Sequence, residues 1–405
     1  MMKTSAVETM DESGVFRGLD CAPVVAAIRS VLPPSPVVLH EPWFAGKERE
    51  YVLECIETGW VSSVGKFVDR FEQMLAECTG VAKAVAIVNG TSALHLCLKL
   101  VGVEAGDEVL VPSLTFVATA NAVAYCGAIP HFVDSEEGTL GLDAANLNDY
   151  LSGVAVVRSG SCFNRRTGAR IAAVVPMHTF GFPVALDSLE EVCHRFAIPM
   201  VEDAAESLGS YYKGKHTGGF GTIAALSFNG NKVVTCGGGG AILTNNLELG
   251  SLAKHLSTTA RQPDRWAIMH DTIGYNYRMP NLNAALGCAQ LEQLPGFLAH
   301  KRNLAESYRK ALAGVRGVRF VTEPPMTCSN YWLNCLVVES GNVEDRNRLL
   351  SATQEAGIMT RPAWGLMHET PMYADCPRMD LSVAKRLGAS LVNLPSSAFL
   401  DGHGG

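Results

Sequence analysis

The sequence has no Cys-x-x-Cys pair and no His-Glu-x-x-His, although it holds 12 cysteines and 11 histidines. That absence excludes a zinc centre built from local motifs, and no metal is expected. Cysteines scattered singly along 405 residues read as reduced thiols packed as small apolar groups. No apolar run of about 18 residues occurs, so no helix is expected to span a membrane. The first apolar run, Val24 to Ile28, is short and follows Glu8, Asp11, Glu12 and Asp20, which is not the pattern of a secretory leader. Basic residues are not in excess: 33 Lys and Arg stand against 40 Asp and Glu, a formal charge of -7. Nothing of that balance suits a nucleic-acid backbone, while a local cationic site for a small anion stays open. A cytoplasmic protein with neither nucleic-acid nor membrane partners is expected. Its 47% apolar and 18% charged residues are enough to build a core, which excludes disorder for most of the length.

What is present has a regular rhythm. Residues 1–36 form an N-terminal extension with a short helix expected at Ala22–Leu32, ended by Pro33, Pro34 and Pro36. Short apolar runs then recur at Ala84–Val88, Val109–Pro112, Ile129–Asp134, Ile171–Pro176, Pro199–Asp203, Ile223–Phe228 and Ala241–Thr244. Helical patterns such as Ser92–Val101, Val117–Tyr125 and Leu186–Phe196 separate the first five. This alternation predicts an α/β fold with a mostly parallel sheet flanked by helices. The last two runs have no helix between them, so part of the sheet is expected to be antiparallel. Helices at Asn283–Leu294 and Leu298–Leu312 follow, and then strands at Val318–Val321, Tyr331–Val338 and Ile358–Arg361 with a helix at Val343–Glu355. A large domain over 37–280 and a smaller α+β domain over 281–405 are expected.

Two motif matches fail on their context. Gly209 to Lys215 has phosphate-loop spacing, but His216 stands where a hydroxyl residue belongs, and the segment reads as a polar hairpin. Gly219-Phe-Gly221 imitates a dinucleotide fingerprint without the strand before it. Three other features carry chemistry. Val88-Asn-Gly90-Thr91-Ser92 turns from a strand into a helix, where backbone N–H groups and two hydroxyls suit either a phosphate or an ordinary N-cap. An apolar run delivers Asp203 to a strand end, where open sheets bind ligands. Lys232 lies between a buried strand and the run Gly237–Gly240, a candidate Schiff-base amine or a surface lysine. Together they are what pyridoxal 5'-phosphate requires: a phosphate cradle, a carboxylate for the pyridine nitrogen and an amine for the carbonyl carbon.

Over residues 37–400 the chain also resembles the DegT-type nucleotide-sugar aminotransferases, which are fold-type-I pyridoxal phosphate enzymes. The resemblance rests on Gly90-Thr-Ser-Ala-Leu94, Pro112-Ser-Leu-Thr-Phe-Val-Ala-Thr-Ala-Asn121, Val201-Glu-Asp-Ala-Ala-Glu-Ser-Leu-Gly209, Ser227-Phe-Asn-Gly-Asn-Lys232 and Gly274-Tyr-Asn-Tyr-Arg-Met279. It implies a large sheet domain with a smaller C-terminal domain and a transaminase using pyridoxal phosphate. Lys232 and Asp203 match the catalytic lysine and the ring-nitrogen partner. Gly90, Thr91, Ser92 and Ser227 match the phosphate site, Phe116 the stacking aromatic, and Glu206 a position near the cofactor's phenolic oxygen. Asn276 matches an asparagine reaching across from a second subunit, which implies a homodimer with shared sites. His178, Arg278, Arg361, Trp364 and His368 fall in segments resembling the substrate rim. Leu39-His-Glu-Pro42 and Thr58 to Phe71 resemble the subgroup on legionaminic-acid and bacillosamine routes. The expected reaction moves an amino group from glutamate to C4 of a UDP-linked 2-acetamido-4-keto-6-deoxy hexose. A GDP-perosamine-type 4-aminotransferase and a non-catalytic cofactor-binding sensor stay open as alternatives.

Overall fold

Each of the apolar runs becomes a strand of one sheet. The structure, a computed structural model, describes residues 18–34, 36–264 and 266–400. The strands are β1 (Lys83–Ile87), β2 (Glu108–Pro112), β3 (Ile129–Val133), β4 (Arg170–Val174), β5 (Val201–Asp203), β6 (Ile223–Ser227) and β7 (Gly240–Thr244). Val-, Ile- and Ala-rich segments of this length are buried almost throughout, as expected of strands covered on both faces. β2 pairs in parallel with β3 and with β4, and β5 in parallel with β6. Between β4 and β5 the pairing is carried by the bridges Val174–Met200 and Met177–Asp203, where Asp203 N–H donates to Pro176 O at 2.8 Å. β7 runs antiparallel to both β6 and β1, the strand without a crossover helix before it. The order is therefore β3-β2-β4-β5-β6-β7-β1, with the carboxyl ends of the parallel strands on one side.

The helices Gly90–Leu100, Val117–Tyr125 and Leu186–Phe196 cover the sheet where the sequence places them. The rejected phosphate loop is the hairpin Tyr211–Tyr212/Lys215–His216, turned at Lys213 and Gly214, both with positive φ. The two expected helices after residue 280 are one helix of 31 residues, Asn281–Ala311, with Pro295 inside it. Losing the Pro295 N–H and crowding the previous turn costs about 3 kcal/mol. Burial on either side offsets this, because Leu291, Leu294 and Phe297 pack into the main core, each worth about 1.5–3 kcal/mol. The later half puts Leu304 and Tyr308 into a separate cluster with Val24 and Ile28 of the helix Cys21–Val31. The expected N-terminal helix is thus docked on the far end of the long one.

The last part is an antiparallel sheet in the order Val318–Phe320, Asn334–Val338, Leu391–Leu394, Arg361–Pro362, with the helix Val343–Glu355 as expected. The strand expected at Ile358–Arg361 is displaced to Arg361–Pro362, because Ile358 is taken by a bridge to Val37. Among the described residues no helix is long and apolar enough to cross a membrane.

Candidate functional site

A cavity of about 300 Å³ opens at the carboxyl ends of the parallel strands. β1 leads to Asn89, whose Oδ1 accepts from Ser92 N–H at 2.8 Å and so caps the helix Gly90–Leu100. Because Asn89 is the cap, the Thr91 hydroxyl is free of that duty and lines the cavity with Gly90. The N–H groups of Gly90 and Thr91, in the first turn, have no carbonyl one turn behind them. β6 ends at Ser227, and a Cβ on Gly90 would stand 2.8 Å from that residue's Cβ. On the other side β7 begins at Gly240, where a Cβ would meet the Asn89 carbonyl carbon at 2.5 Å and Gly90 N at 2.7 Å. Glycine at both places lets three backbone segments close into a small concave anion site.

Asp203 ends β5 inside the cavity, 5% exposed. Its Oδ2 accepts from Thr119 Oγ1 at 2.8 Å and its Oδ1 from Ala205 N–H at 3.2 Å. Burial pushes this carboxyl above its usual range, although Thr119, Ala205 and the Lys232 charge all pull the other way. Glu206, equally buried, accepts from Lys232 Nζ at 3.3 Å on Oε1 and from Phe180 N–H at 2.9 Å on Oε2. Burial raises it to about 7 against the pull of Lys232. Two buried carboxylates thus lack enough positive charge between them, and a further proton-bearing group in the cavity would relieve that deficit.

The walls are aromatic. Lys232 Nζ lies 3.9 Å from the centroid of the Trp332 ring, and Trp332 Nε1 donates to Asn231 O at 2.7 Å. Phe116 is 48% exposed, so its ring stands outside the core and lines the cavity. It meets Trp364 edge-on at 6.1 Å, and Trp364 packs on Phe180 at 4.9 Å. Sequence reasoning missed Trp332, Asn229 and Asn231 as cavity residues. The asparagines stood beside Lys232 in a motif already singled out, whereas Trp332 lies about a hundred residues further along the chain and no local signal pointed to it.

The structure therefore brings together Gly90, Thr91, Phe116, Asp203, Glu206, Ser227, Lys232 and Trp364. The remaining expectations fall elsewhere. Ser92 gives its N–H to the cap and does not line the cavity. His178 is fully buried, with Nε2 3.1 Å from Glu202 Oε2 and Nδ1 accepting from Val184 N–H, so it has no face for substrate. Glu202 itself fills the loop that imitated a dinucleotide fingerprint, accepting from the N–H groups of Gly218, Phe220 and Gly221 at 2.7, 2.8 and 2.7 Å. His368 is 7% exposed and spent on Ser113, its Nδ1 2.6 Å from the hydroxyl. Arg278 donates to Asn276 Oδ1, and both lie outside this chain's own cavity. Arg361 lines an adjoining chamber.

The cavity fits pyridoxal phosphate. The glycine-lined helix start and Ser227 form an anion cradle. The under-neutralised carboxyl of Asp203 suits a protonated ring nitrogen, Phe116 offers a ring face, and Lys232 supplies the amine. Comparison with known proteins agrees. The sequence model of the DegT/DnrJ/EryC1/StrS aminotransferase family matches residues 44–403. The chain is 38% identical to the GDP-perosamine synthase of Caulobacter vibrioides, over 89% of this chain and 92% of that one. It is 35% identical to the GDP-perosamine synthase of Escherichia coli O157:H7, over 89% and 93%. Among solved structures, the aminotransferase TlmJ from Streptoalloteichus hindustanus superposes with a TM-score of 0.80 at 28% identity, over 89% of this chain and 94% of the other.

Proposed function

The chain belongs to the DegT/DnrJ/EryC1/StrS aminotransferase family and is a pyridoxal phosphate-dependent sugar aminotransferase, and from that premise we propose that it aminates C4 of a GDP-linked 4-keto-6-deoxy hexose. The observation that carries this reading is the match along nearly the whole chain to perosamine synthases of two organisms. On this reading the nucleotide is GDP rather than the UDP expected on sequence motifs, and C2 of the sugar carries a hydroxyl rather than an acetamido group. Glutamate is the proposed donor.

Pyridoxal phosphate, when bound, supplies the electron sink that stabilises a carbanion at the reacting carbon. The chain's residues do the rest. Gly90 and Thr91 N–H groups with the Ser227 and Thr91 hydroxyls hold the phosphate. Asp203 keeps a proton at the ring nitrogen, and its orientation is fixed by Thr119 and Ala205. Phe116 covers one ring face. Lys232 Nζ takes the proton from the donor's Cα and later returns one to the sugar carbon, as general base and then general acid. Glu206 Oε1 aims that amine from one side and the Trp332 ring from the other. The reaction is ping-pong, since donor and acceptor use the same amine in turn.

We propose further that the protein works as a homodimer in which Asn276 serves the partner's site. The support is its exposed position outside its own cavity, close in sequence to the exposed Trp266, Ile268 and Ile273.

The substrate reading is tested by offering GDP-4-keto-6-deoxy-hexose and UDP-2-acetamido-2,6-dideoxy-4-keto-hexose with glutamate and locating the new amine by NMR. Efficient conversion of the GDP sugar with nitrogen at C4 is expected. Preference for the UDP sugar would return the protein to the legionaminic-acid and bacillosamine type, and nitrogen at C3 would overturn the regiochemistry.

A further inference from the structure

The helix Asn281–Ala311 turns a lysine into the core: Lys301 is 1% exposed. An ammonium has three N–H donors and no acceptor. Those of Lys301 meet three neutral groups from separate parts of the chain: Trp332 O at 3.2 Å, Ser396 O, and His40 Nε2 at 3.2 Å. Burial lowers this amine to about 7. Taking a cation out of water is costly, and an aliphatic side chain would fill the same space without that cost. What a lysine adds here is directed donors. One of them reaches the wall of the cofactor cavity. Trp332 O belongs to the peptide joining Trp332 to Leu333, and the Leu333 N–H donates to Phe180 O at 3.3 Å. On its other side Trp332 N–H donates to Asn330 Oδ1 at 2.8 Å, and Nε1 donates to Asn231 O at 2.7 Å. Both peptides flanking Trp332 are therefore anchored, which sets the direction in which its side chain leaves the backbone. Phe180, at φ 56°, is a buried non-glycine residue in the left-handed region, and its own N–H holds Glu206 Oε2. Glu206 and Trp332, the two groups facing the Lys232 amine, are thus tied through Phe180, and Lys301 is the outer anchor of that chain of contacts.

We propose that Lys301 is a positioning residue for the reacting amine: it holds the Trp332 carbonyl, and through it the indole against which Lys232 Nζ lies. Lys301 does not line the cavity, so it acts only through Trp332. The inference rests on Lys232 being the reacting amine, as proposed above, and adds what keeps that amine aimed. No covalent step is added. The indole must hold its place while Lys232 works as base and then as acid, and a wall fixed at its carbonyl, its N–H and its Nε1 does so.

The test uses the full-length holoenzyme as wild type, Lys301→Met, Trp332→Phe and the double variant. The near-UV circular dichroism of the indole, taken as wild type minus Trp332→Phe, reports how firmly Trp332 is held and needs no turnover. In Lys301→Met that signal should be largely lost. The maximal rate of the donor half-reaction with glutamate should fall at least about tenfold, within what a displacement of about 1 Å brings, at unchanged half-saturating glutamate. In the Trp332→Phe background the same substitution should cost less than about threefold, because the indole it aims is gone. Lys301→Gln, neutral but with two N–H donors, should recover part of both signals, which a role of the charge alone would not. A lowered melting temperature with the indole signal and the rate intact would make Lys301 structural only and overturn the proposal. Equal losses in the two backgrounds would overturn it too, since Lys301 would then act by another route. If Lys301→Met does not fold, Lys301→Gln completes the same cycle, with a smaller loss expected in wild type and none beside Trp332→Phe. The indole signal does not depend on the chemistry at Lys232, so a wrong assignment of the amine would show in Lys232→Ala turnover and leave this arm intact.

Discussion

Asp203 and Glu206 face one lysine from different supports, and that difference sets what each substitution does. Lys232 is the amine at the centre of the cavity, held by Glu206 and the Trp332 ring. Lys232→Ala should therefore lose both the absorbance of lysine-bound cofactor and turnover, and wild-type turnover in that variant would remove Lys232 from the chemistry. Asp203→Asn keeps the Thr119 and Ala205 contacts nearly isosteric but cannot hold a proton at the ring nitrogen. Its rate should drop at least about 100-fold, or about 2.7 kcal/mol in the barrier; a loss under tenfold would leave Asp203 a structural role only. Glu206 makes a different prediction. Its folded pKa of about 7 lies above its ordinary 4.5, because burial disfavours the charged form. A carboxyl raised on folding stabilises the protein while protonated, fully below 4.5, and that contribution is lost as pH rises through about 7. Melting temperatures of cofactor-free wild type and Glu206→Gln should therefore diverge with rising pH, to the detriment of wild type. Parallel curves would show that Glu206 ionises normally. The meeting of Lys232 and Asp203 in one cavity was legible because local sequence marks both, an amine beside glycines and an acid at a strand end. His178 and His368 were misread because a histidine in a rim-like segment looks the same whether it faces a ligand or is spent on Glu202 or Ser113.

Among the elements, the strands were readable and their partners were not. The seven runs of the large sheet lie within a residue or two of their expected bounds, because burial on both faces leaves continuous apolar segments. The hairpin Ala155–Arg158/Ser161–Asn164 at the edge of β4, half exposed, had no such signature. The same holds for the strand Leu391–Leu394, whose burial depends on a sheet assembled from four distant segments. The glycine run is the element on which cofactor retention depends most directly. Gly240→Ala puts a methyl against the Asn89 backbone, which has no flexible side chain to yield. A cost of about 1–3 kcal/mol is expected, with weaker cofactor binding as the Gly90 turn is pushed off its cradle. Calorimetry and a cofactor titration measure the two effects. Unchanged affinity together with a lowered melting temperature would separate the turn from phosphate binding.

At the scale of the whole molecule, the site draws on segments far apart in the chain. Trp332 and Trp364 come from segments after residue 311, while the cradle, the acid and the lysine come from the large sheet. If Asn276 also crosses between subunits, mixing Lys232→Ala with Asn276→Ala chains should create dimers in which one site carries both defects and the other none. Activity above either parent is expected; full activity of a demonstrably monomeric wild type would exclude the crossing. The helix Asn281–Ala311, unbroken at Pro295, ties these parts together: its early turns belong to the core around Phe71 and its late turns to the core around Val24 and Ile28. This has a bearing on recombination between relatives. A crossover placed at the start of the helix would set its early half against a foreign Phe71 core and its late half against a foreign Val24 and Ile28, and one placed at Pro295 would restore only the early half to its native core. Acceptor preference in such chains is therefore better exchanged by grafting loops onto an intact helix than by swapping C-terminal halves.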